Sequence, residues 1–265
     1  MNATATTRGM CQRSDGERRR LGADRPGFSL LDVLVSISVI AVLIGLLLPS
    51  FAKVNETARR VVCQSNIRQI GLGVVMYADD YNGFLPPSEF LRPVQPRSGE
   101  GKQNMDTLRL SPDREEGAPW DGLGLLYQYG YLSTPKIFYC PSHHGDNPYS
   151  AYALAWNEGL AEVICNYHYR GEGPRPAGNP TRIQNRLYFI DPSHSSLIAD
   201  GLRSQSDYNH KVGVNFFTAD LSVHWYDDTD RALLLSLPES KEDAESQAPV
   251  DNAWTLFDQS MTEPN

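Results

Sequence analysis

Beyond Arg68 the chain has no cluster of basic residues, and its formal net charge is −8. Phosphate backbones are held by grouped Lys and Arg, so this absence excludes a nucleic-acid partner. A Gly-x-Ser-x-Gly nucleophile elbow is also missing. His194, beside Ser193 and Ser195 and near Asp200, therefore carries no hydrolase signature, and no catalytic residue is expected. Cysteine is scarce: Cys11, Cys63, Cys140 and Cys165 are all there is. Cys11 lies in a polar leader, and its removal leaves three thiols, enough for one bridge at most. Cys140 with Cys165 is the preferred pair for an exported domain, Cys63 with Cys140 the second choice.

Long hydrophobic runs are absent too, with one exception. Residues 28–48 hold a single charge, Asp32, and at about 1.5 Å per residue they can cross a hydrocarbon core of about 30 Å. Residues 1–27 are polar and Arg-rich, as a targeting leader is. Basic residues stand on both sides of the span, and their bias predicts a cytoplasmic N-terminus. Asp32 is the anomaly, because an unpaired carboxylate at membrane depth costs about 2.5 to 3.5 kcal/mol even on the lenient scale. It requires a partner.

Past Pro49 the helical period continues. Apolar or small residues at Val54, Ala58, Val61, Ser65, Leu72 and Met76 form a stripe, with Ile67, Ile70, Val74 and Tyr77 off it, and the helix is predicted to run to about Tyr81. Asn82-Gly83 supplies a left-handed cap and Pro86-Pro87 prevents resumption. Residues 83–119, rich in Pro, Gly and charge, read as a flexible connection. A head is expected over 120–237, with strands at 187–190, 196–199, 213–219 and 222–226, the last two a hairpin. Residues 238–265 are acidic and read as a mobile tail in which Trp254, Leu256 and Phe257 dock locally. The fold class is α+β: a long N-terminal helix, membrane-spanning then amphipathic, packed on an antiparallel sheet.

Gly27-Phe28-Ser29-Leu30-Leu31-Asp32-Val33-Leu34-Val35, with Pro49 twenty-second from Phe28, resembles the processing segment of type IV pilin-like proteins, specifically secretion pseudopilins. Cys63-Gln64-Ser65-Asn66-Ile67-Arg68-Gln69-Ile70-Gly71, the segment from Tyr77 to Gly83, Gly122-Leu123-Gly124-Leu125-Leu126-Tyr127 and Phe138-Tyr139-Cys140-Pro141-Ser142 resemble a branch of that family abundant in planctomycetes. That branch often ends in His, nine residues, then Asp-Gly. Here His210 and Asp220 keep the spacing and are candidates for recognition, while Leu221 replaces the glycine.

The resemblance implies a pilin-like fold, cleavage between Gly27 and Phe28 by a prepilin peptidase, and methylation of Phe28. It implies assembly through Asp32 and Pro49 with other pseudopilins on an inner-membrane platform. The new ammonium of Phe28 then gives Asp32 its partner, here or on a neighbour. The product is a single-pass inner-membrane subunit with a periplasmic head, and a filament once assembled.

No cofactor is expected. Cys140-Pro141-Ser142-His143-His144-Gly145-Asp146 has zinc-ligand residue types but lacks a second ligand pair, and reads as a turn. Ala78 stands at the first position of a calcium-loop spacing that continues through Asp80, Asn82, Gly83 and Glu89, so the first carboxylate is missing. Asp227, Asp228 and Asp230 read as a solvated turn.

Overall fold

The computed structural model describes residues 27, 29–91, 108–111, 120–158, 162–174, 184–240 and 248–262. Residues 1–26, Cys11 among them, and Phe28 lie outside the described residues, as do the side chains of Pro49, Ser50, Ala52, Ser111 and Glu158. The chain divides into two units, residues 1–50 and 51–265. Helix α1, Leu30–Asp80, is the element that belongs to both.

In the first unit, α1 starts with a reciprocal cap. Ser29 Oγ accepts from the Leu31 backbone N–H at 3.3 Å, and Asp32 Oδ2 accepts from the Ser29 N–H at 3.2 Å. The Asp32 half is that of a capping box with Asp in the place of Glu, while Ser29 caps N2 rather than N3, and two otherwise orphaned N–H groups are satisfied. From there to Leu48 every side chain is exposed, including Leu30, Ile37, Val42 and Leu46.

In the second unit, the buried face of α1 consists of Cys63, Ile67, Ile70, Val74, Tyr77 and Ala78, which recur at three- and four-residue steps. Of the two stripes read from sequence, the one through Ile67, Ile70, Val74 and Tyr77 is the one the head covers, while Val54, Ala58, Val61, Ser65, Leu72 and Met76 are exposed. Both sets satisfy helical periodicity, and the face that meets the sheet is the one bearing the aromatic and β-branched residues. The helix ends as anticipated. Asn82 and Gly83 take φ of 55° and 84°, and the Gly83 N–H donates to Ala78 O at 2.7 Å, the six-to-one bond of a Schellman cap.

A short strand β1, Arg109–Ser111, pairs antiparallel with β2, Val163–Ile164. Between them lie helices α2, Gly124–Gln128, and α3, Tyr149–Glu158. Trp156 stacks on Trp120 and Phe138, with centroids 4.9 and 5.3 Å away, and donates its indole N–H to the Tyr139 hydroxyl at 3.0 Å. The segment read as a flexible connection is partly built into this core: Leu85, Phe90, Leu108 and Leu110 are buried. Residues 92–107 and 112–119 lie outside the described residues.

The main sheet is antiparallel in the order β3-β4-β5-β6, with β3 Tyr167–Tyr169, β4 Ser196–Asp200, β5 Gly213–Thr218 and β6 Val223–Asp227. Residues 187–189, expected in a strand, form a 3-10 turn instead. Successive residues of β5 serve opposite layers, as the two-residue period of a strand dictates. Phe217 meets α1 at Gly71, and Phe216 stacks at 4.9 Å on Phe257 of helix α5, Ala248–Ser260. Every residue of β5 is buried for this reason.

The acidic C-terminal segment is consequently not a loose tail over its described part. Val250, Ala253, Trp254 and Phe257 form one buried stripe of α5, and its acidic residues take the other positions. Asp258 accepts from Ser196 N–H at 2.8 Å and pairs with Arg170 at 2.7 Å, tying α5 to the start of β4. A fourth helix, α4, Ala232–Ser236, is anchored by buried Asp228, which accepts from the Leu233 and Leu234 N–H groups and the Tyr208 hydroxyl. Asp228 thus leaves the solvated turn expected around it and serves a helix N-terminus.

Candidate functional site

Between the second-unit part of α1 and the sheet, four potential ligand groups converge: Cys63, Cys140, Asp200 and His210, one atom from each, all within 4.8 Å of one another. Cys63 comes from the buried stripe of α1. Asp200 closes β4 on the same face as Ile198, since strand positions two apart point the same way. Cys140 follows a 3-10 turn, Pro135–Phe138, and His210 precedes β5. All four are buried, Cys63 at 0%, Asp200 and His210 at 1% and Cys140 at 5% exposure.

Their contacts define the geometry. The Cys63 thiol donates to Asp200 Oδ1 at 3.0 Å and lies 3.5 Å from the Tyr167 hydroxyl. Cys140 Sγ is 3.6 Å from His210 Nε2, which is 3.7 Å from Asp200 Oδ2. The other ring nitrogen, Nδ1, meets Glu56 Oε1 at 2.7 Å, and Glu56 also accepts from the Ser142 hydroxyl. Asp200 accepts further from Asn209 Nδ2 at 3.1 Å and from the Asn215 backbone N–H at 2.7 Å. Arg60, stacked 3.3 Å over Trp225, is attracted to Asp200 and Asp227.

Burial, then its hydrogen bond to Cys140 and the charge of Asp200, pushes the Cys63 thiol well above its ordinary range. At Cys140 burial is again the largest influence and acts upward, but hydrogen bonds with Cys63 and His210 outweigh it and the thiol titrates low. Burial opposes charge on His210, yet Cys140, Asp200 and Glu56 together raise it to about 9. Such a group can form a Cys63 to Cys140 bridge, hold a Cys140 thiolate beside imidazolium, or ligate a cation through all four donors.

The residues singled out from sequence are distributed otherwise. The expected Cys140 to Cys165 bridge is not formed: Cys63, Cys140 and Cys165 are free thiols, and Cys165 donates to the Tyr167 carbonyl while Cys140 faces the cluster. His210 and Asp220 are not brought together. Six-residue β5 separates them, about 20 Å at 3.3 Å per residue, and Asp220 caps the hairpin turn by accepting from Thr218 Oγ1 and Ser222 N–H. His143 and His144 bond Asn209 and Ser142 rather than joining Cys140. Asp80 accepts from the Tyr131 hydroxyl, and His194 pairs with Asp191 on the surface. Of the processing residues, Gly27 and Asp32 are exposed at the start of α1.

Sequence reasoning brought Cys63 to Cys140 only as its second-choice bridge, and missed Asp200 and Glu56 as members of one site. Cys63 and Asp200 are 137 residues apart, so no local ligand spacing announces them. The signal in the sequence was the scarcity of cysteine, which left Cys63 as an alternative partner for Cys140.

A long exposed apolar helix that continues into an α+β head, with an antiparallel sheet laid on its second part, is a pilin-like arrangement. A family model described as "Protein of unknown function (DUF1559)" matches residues 53–153, a span containing the motifs around Cys63, Tyr77, Gly122 and Cys140. No curated protein and no solved structure matches the chain.

Proposed function

We propose that the protein is a pseudopilin, a non-enzymatic subunit of a type II secretion or type IV pilus-like filament. One observation carries this reading: α1 leaves its whole apolar first part exposed, from Leu30 to Leu48, while Cys63 to Ala78 supply the head with a buried face. A span of that kind has two natural environments, a bilayer before assembly and the helical core of a polymer afterwards. Further along α1, Val54, Val61, Leu72 and Met76 extend an exposed apolar stripe suited to neighbouring subunits.

Processing follows from the same segment. Prepilin peptidase cuts between Gly27 and Phe28 and methylates the new amine, and an inner-membrane platform then assembles the subunit with other pseudopilins. The head is periplasmic and the original N-terminus cytoplasmic. Asp32 has two tasks in succession: it caps α1 through Ser29, and in the filament it offers its carboxylate to a Phe28 ammonium. A polar pair in apolar surroundings is best attested as a register device.

N-terminal sequencing with mass analysis of the mature protein tests the reading. Methyl-Phe28 is the expected first residue, whereas Lys53 or an intact Met1 rejects it in favour of a membrane-tethered domain. Asp32→Ala is expected to be cleaved normally and to assemble poorly. Gly27→Leu is expected to accumulate with its leader attached.

A further inference from the structure

We propose that Cys63, Cys140, Asp200 and His210 bind one zinc-class divalent cation, which clamps the head's share of α1 to the sheet. The donor set is two sulfurs, one imidazole nitrogen and one carboxylate oxygen, a combination that selects tetrahedral zinc among the common cations. With Zn–S near 2.3 Å and Zn–N or Zn–O near 2.0 to 2.1 Å, tetrahedral geometry separates donors by about 3.3 to 3.8 Å. The Cys140 to His210 and His210 to Asp200 separations, 3.6 and 3.7 Å, fall in that window, and Cys63 to Asp200, now 3.0 Å apart through a thiol hydrogen bond, must open to reach it when the cation replaces the thiol proton.

The surroundings are arranged as a ligand shell is. His210 offers Nε2 to the cluster because Nδ1 is engaged by Glu56 at 2.7 Å, the carboxylate-histidine pairing that fixes the tautomer of zinc-bound imidazoles. Asn209 and Asn215 hold the Asp200 carboxylate in place. The Asn215 amide also lies 3.2 Å from Nε2, and it keeps its bond to Asp200 Oδ2 at 3.1 Å when a cation takes that lone pair. Two thiolates, a carboxylate and a divalent cation leave one negative charge, and Arg60 is the nearby guanidinium attracted to Asp200. Access exists on two sides: Cys140 lines a cleft of about 700 Å³ and His210 lines a second of about 440 Å³.

Two simpler chemistries use only part of the group. A Cys63 to Cys140 bridge takes the thiol partners away from the Asp200 carboxylate and the Glu56-held imidazole, leaving Asp200 only its hydrogen bonds to Asn209 and Asn215. A Cys140 and His210 nucleophile leaves Cys63 and Asp200 over. The clamp employs all four, and because Cys63 and Asp200 are 137 residues apart, it closes a long loop whose ends are otherwise joined by packing and one thiol hydrogen bond. It is independent of the pseudopilin reading, which rests on the exposure of residues 30–48 and not on this cluster.

Elemental analysis of the detergent-purified full chain tests the clamp. About one zinc per chain is expected, and cobalt exchanged into the protein is expected to give tetrahedral absorption with thiolate charge transfer. Cys63→Ser, Asp200→Asn and His210→Gln are each expected to lose the metal, while Cys165→Ser and His143→Gln retain it. Glu56→Gln, a positioning change, is expected to keep the stoichiometry and weaken affinity by about 10- to 100-fold. The cobalt spectrum of the unsubstituted chain decides the matter even where a variant misfolds. An intact mass lighter by two hydrogens, with Cys63 and Cys140 peptides linked, overturns the proposal in favour of a disulfide. Failure of the reduced chain to take up either zinc or cobalt overturns it outright.

Discussion

Gly71 on α1 is pressed against Phe217 on β5: a Cβ at Gly71 would lie 2.3 Å from the ring's Cε2. The ring is fully buried and belongs to the same core cluster as Ile67, Ile70 and Val74, so it has little room to retreat. Helix and sheet approach this closely because one residue has no side chain.

Gly71→Val therefore overpacks the helix-sheet interface. The expected cost is about 1 to 3 kcal/mol, more than the few tenths gained in helix propensity. Urea denaturation of the two proteins checks it, and an unchanged midpoint would show that the layers can part without penalty.

Leu221 occupies a position that favours glycine. Its φ is 72°, in a hairpin turn closed by the Leu221 N–H to Thr218 O and Thr218 N–H to Ser222 O bonds, both 3.0 Å. The tight turn forms with Leu in it, at the cost of a left-handed conformation worth about 1 to 2 kcal/mol. Leu221 recovers some of that by packing on the larger core cluster. Leu221→Gly relieves the strain and Leu221→Ala keeps it, and both lose the packing. The glycine variant is expected to be about 1 kcal/mol more stable than the alanine variant. Thermal melts of the pair measure the difference, and equal stability refutes the strain.

His143 introduces a pH dependence. Burial, partly opposed by its bond to Asn209 and the charge of Asp207, lowers its titration below the ordinary 6.5; His144 and Asp146 also face it. The hydrogen bonds agree: Nδ1 meets Asn209 Oδ1 at 2.9 Å and Nε2 accepts from the Asn147 N–H at 3.3 Å. A proton on Nε2 breaks the second bond. The unfolded chain thus takes up this proton first, so the contribution of neutral His143 is complete above about pH 6.5 and is lost as pH falls through the lower folded value. Stability is expected to drop between pH 7 and 5 by less in His143→Gln than in the parent. Denaturant curves at the two pH values check it, and equal slopes remove His143 as the cause.

How much of this was legible in the chain varied with the range of the signal. The end of α1 was read from Asn82-Gly83 and the β5-β6 hairpin from alternating residues around a turn, because both are local. Which face of α1 is buried stayed open because two stripes fit one period, and only the sheet chooses between them. Helix α5 was hidden by its acids, although Val250, Ala253, Trp254 and Phe257 have helical spacing. The four-residue cluster was least legible: Cys140 and His210 are 70 residues apart, and their meeting is a property of the topology.

Helix α1 runs across the division of the chain at residues 50 and 51. Residues 30–48 are exposed, so removing them takes no buried apolar area from the head, and residues 51–265 form a unit of their own. A fragment starting at Phe51 is expected to be soluble without detergent and to unfold cooperatively. One starting at Thr57 loses Glu56 and with it the bonds to Ser142 and His210. Two hydrogen bonds to a charged acceptor that is 41% exposed are worth about 1 to 2 kcal/mol together after solvent screening. The shorter fragment should melt lower by several degrees, by about 2 to 4 °C per kcal/mol at this size. Identical melting of the two would mean that Glu56 contributes nothing to the head, and insolubility of the longer one would mean that the head depends on the apolar segment.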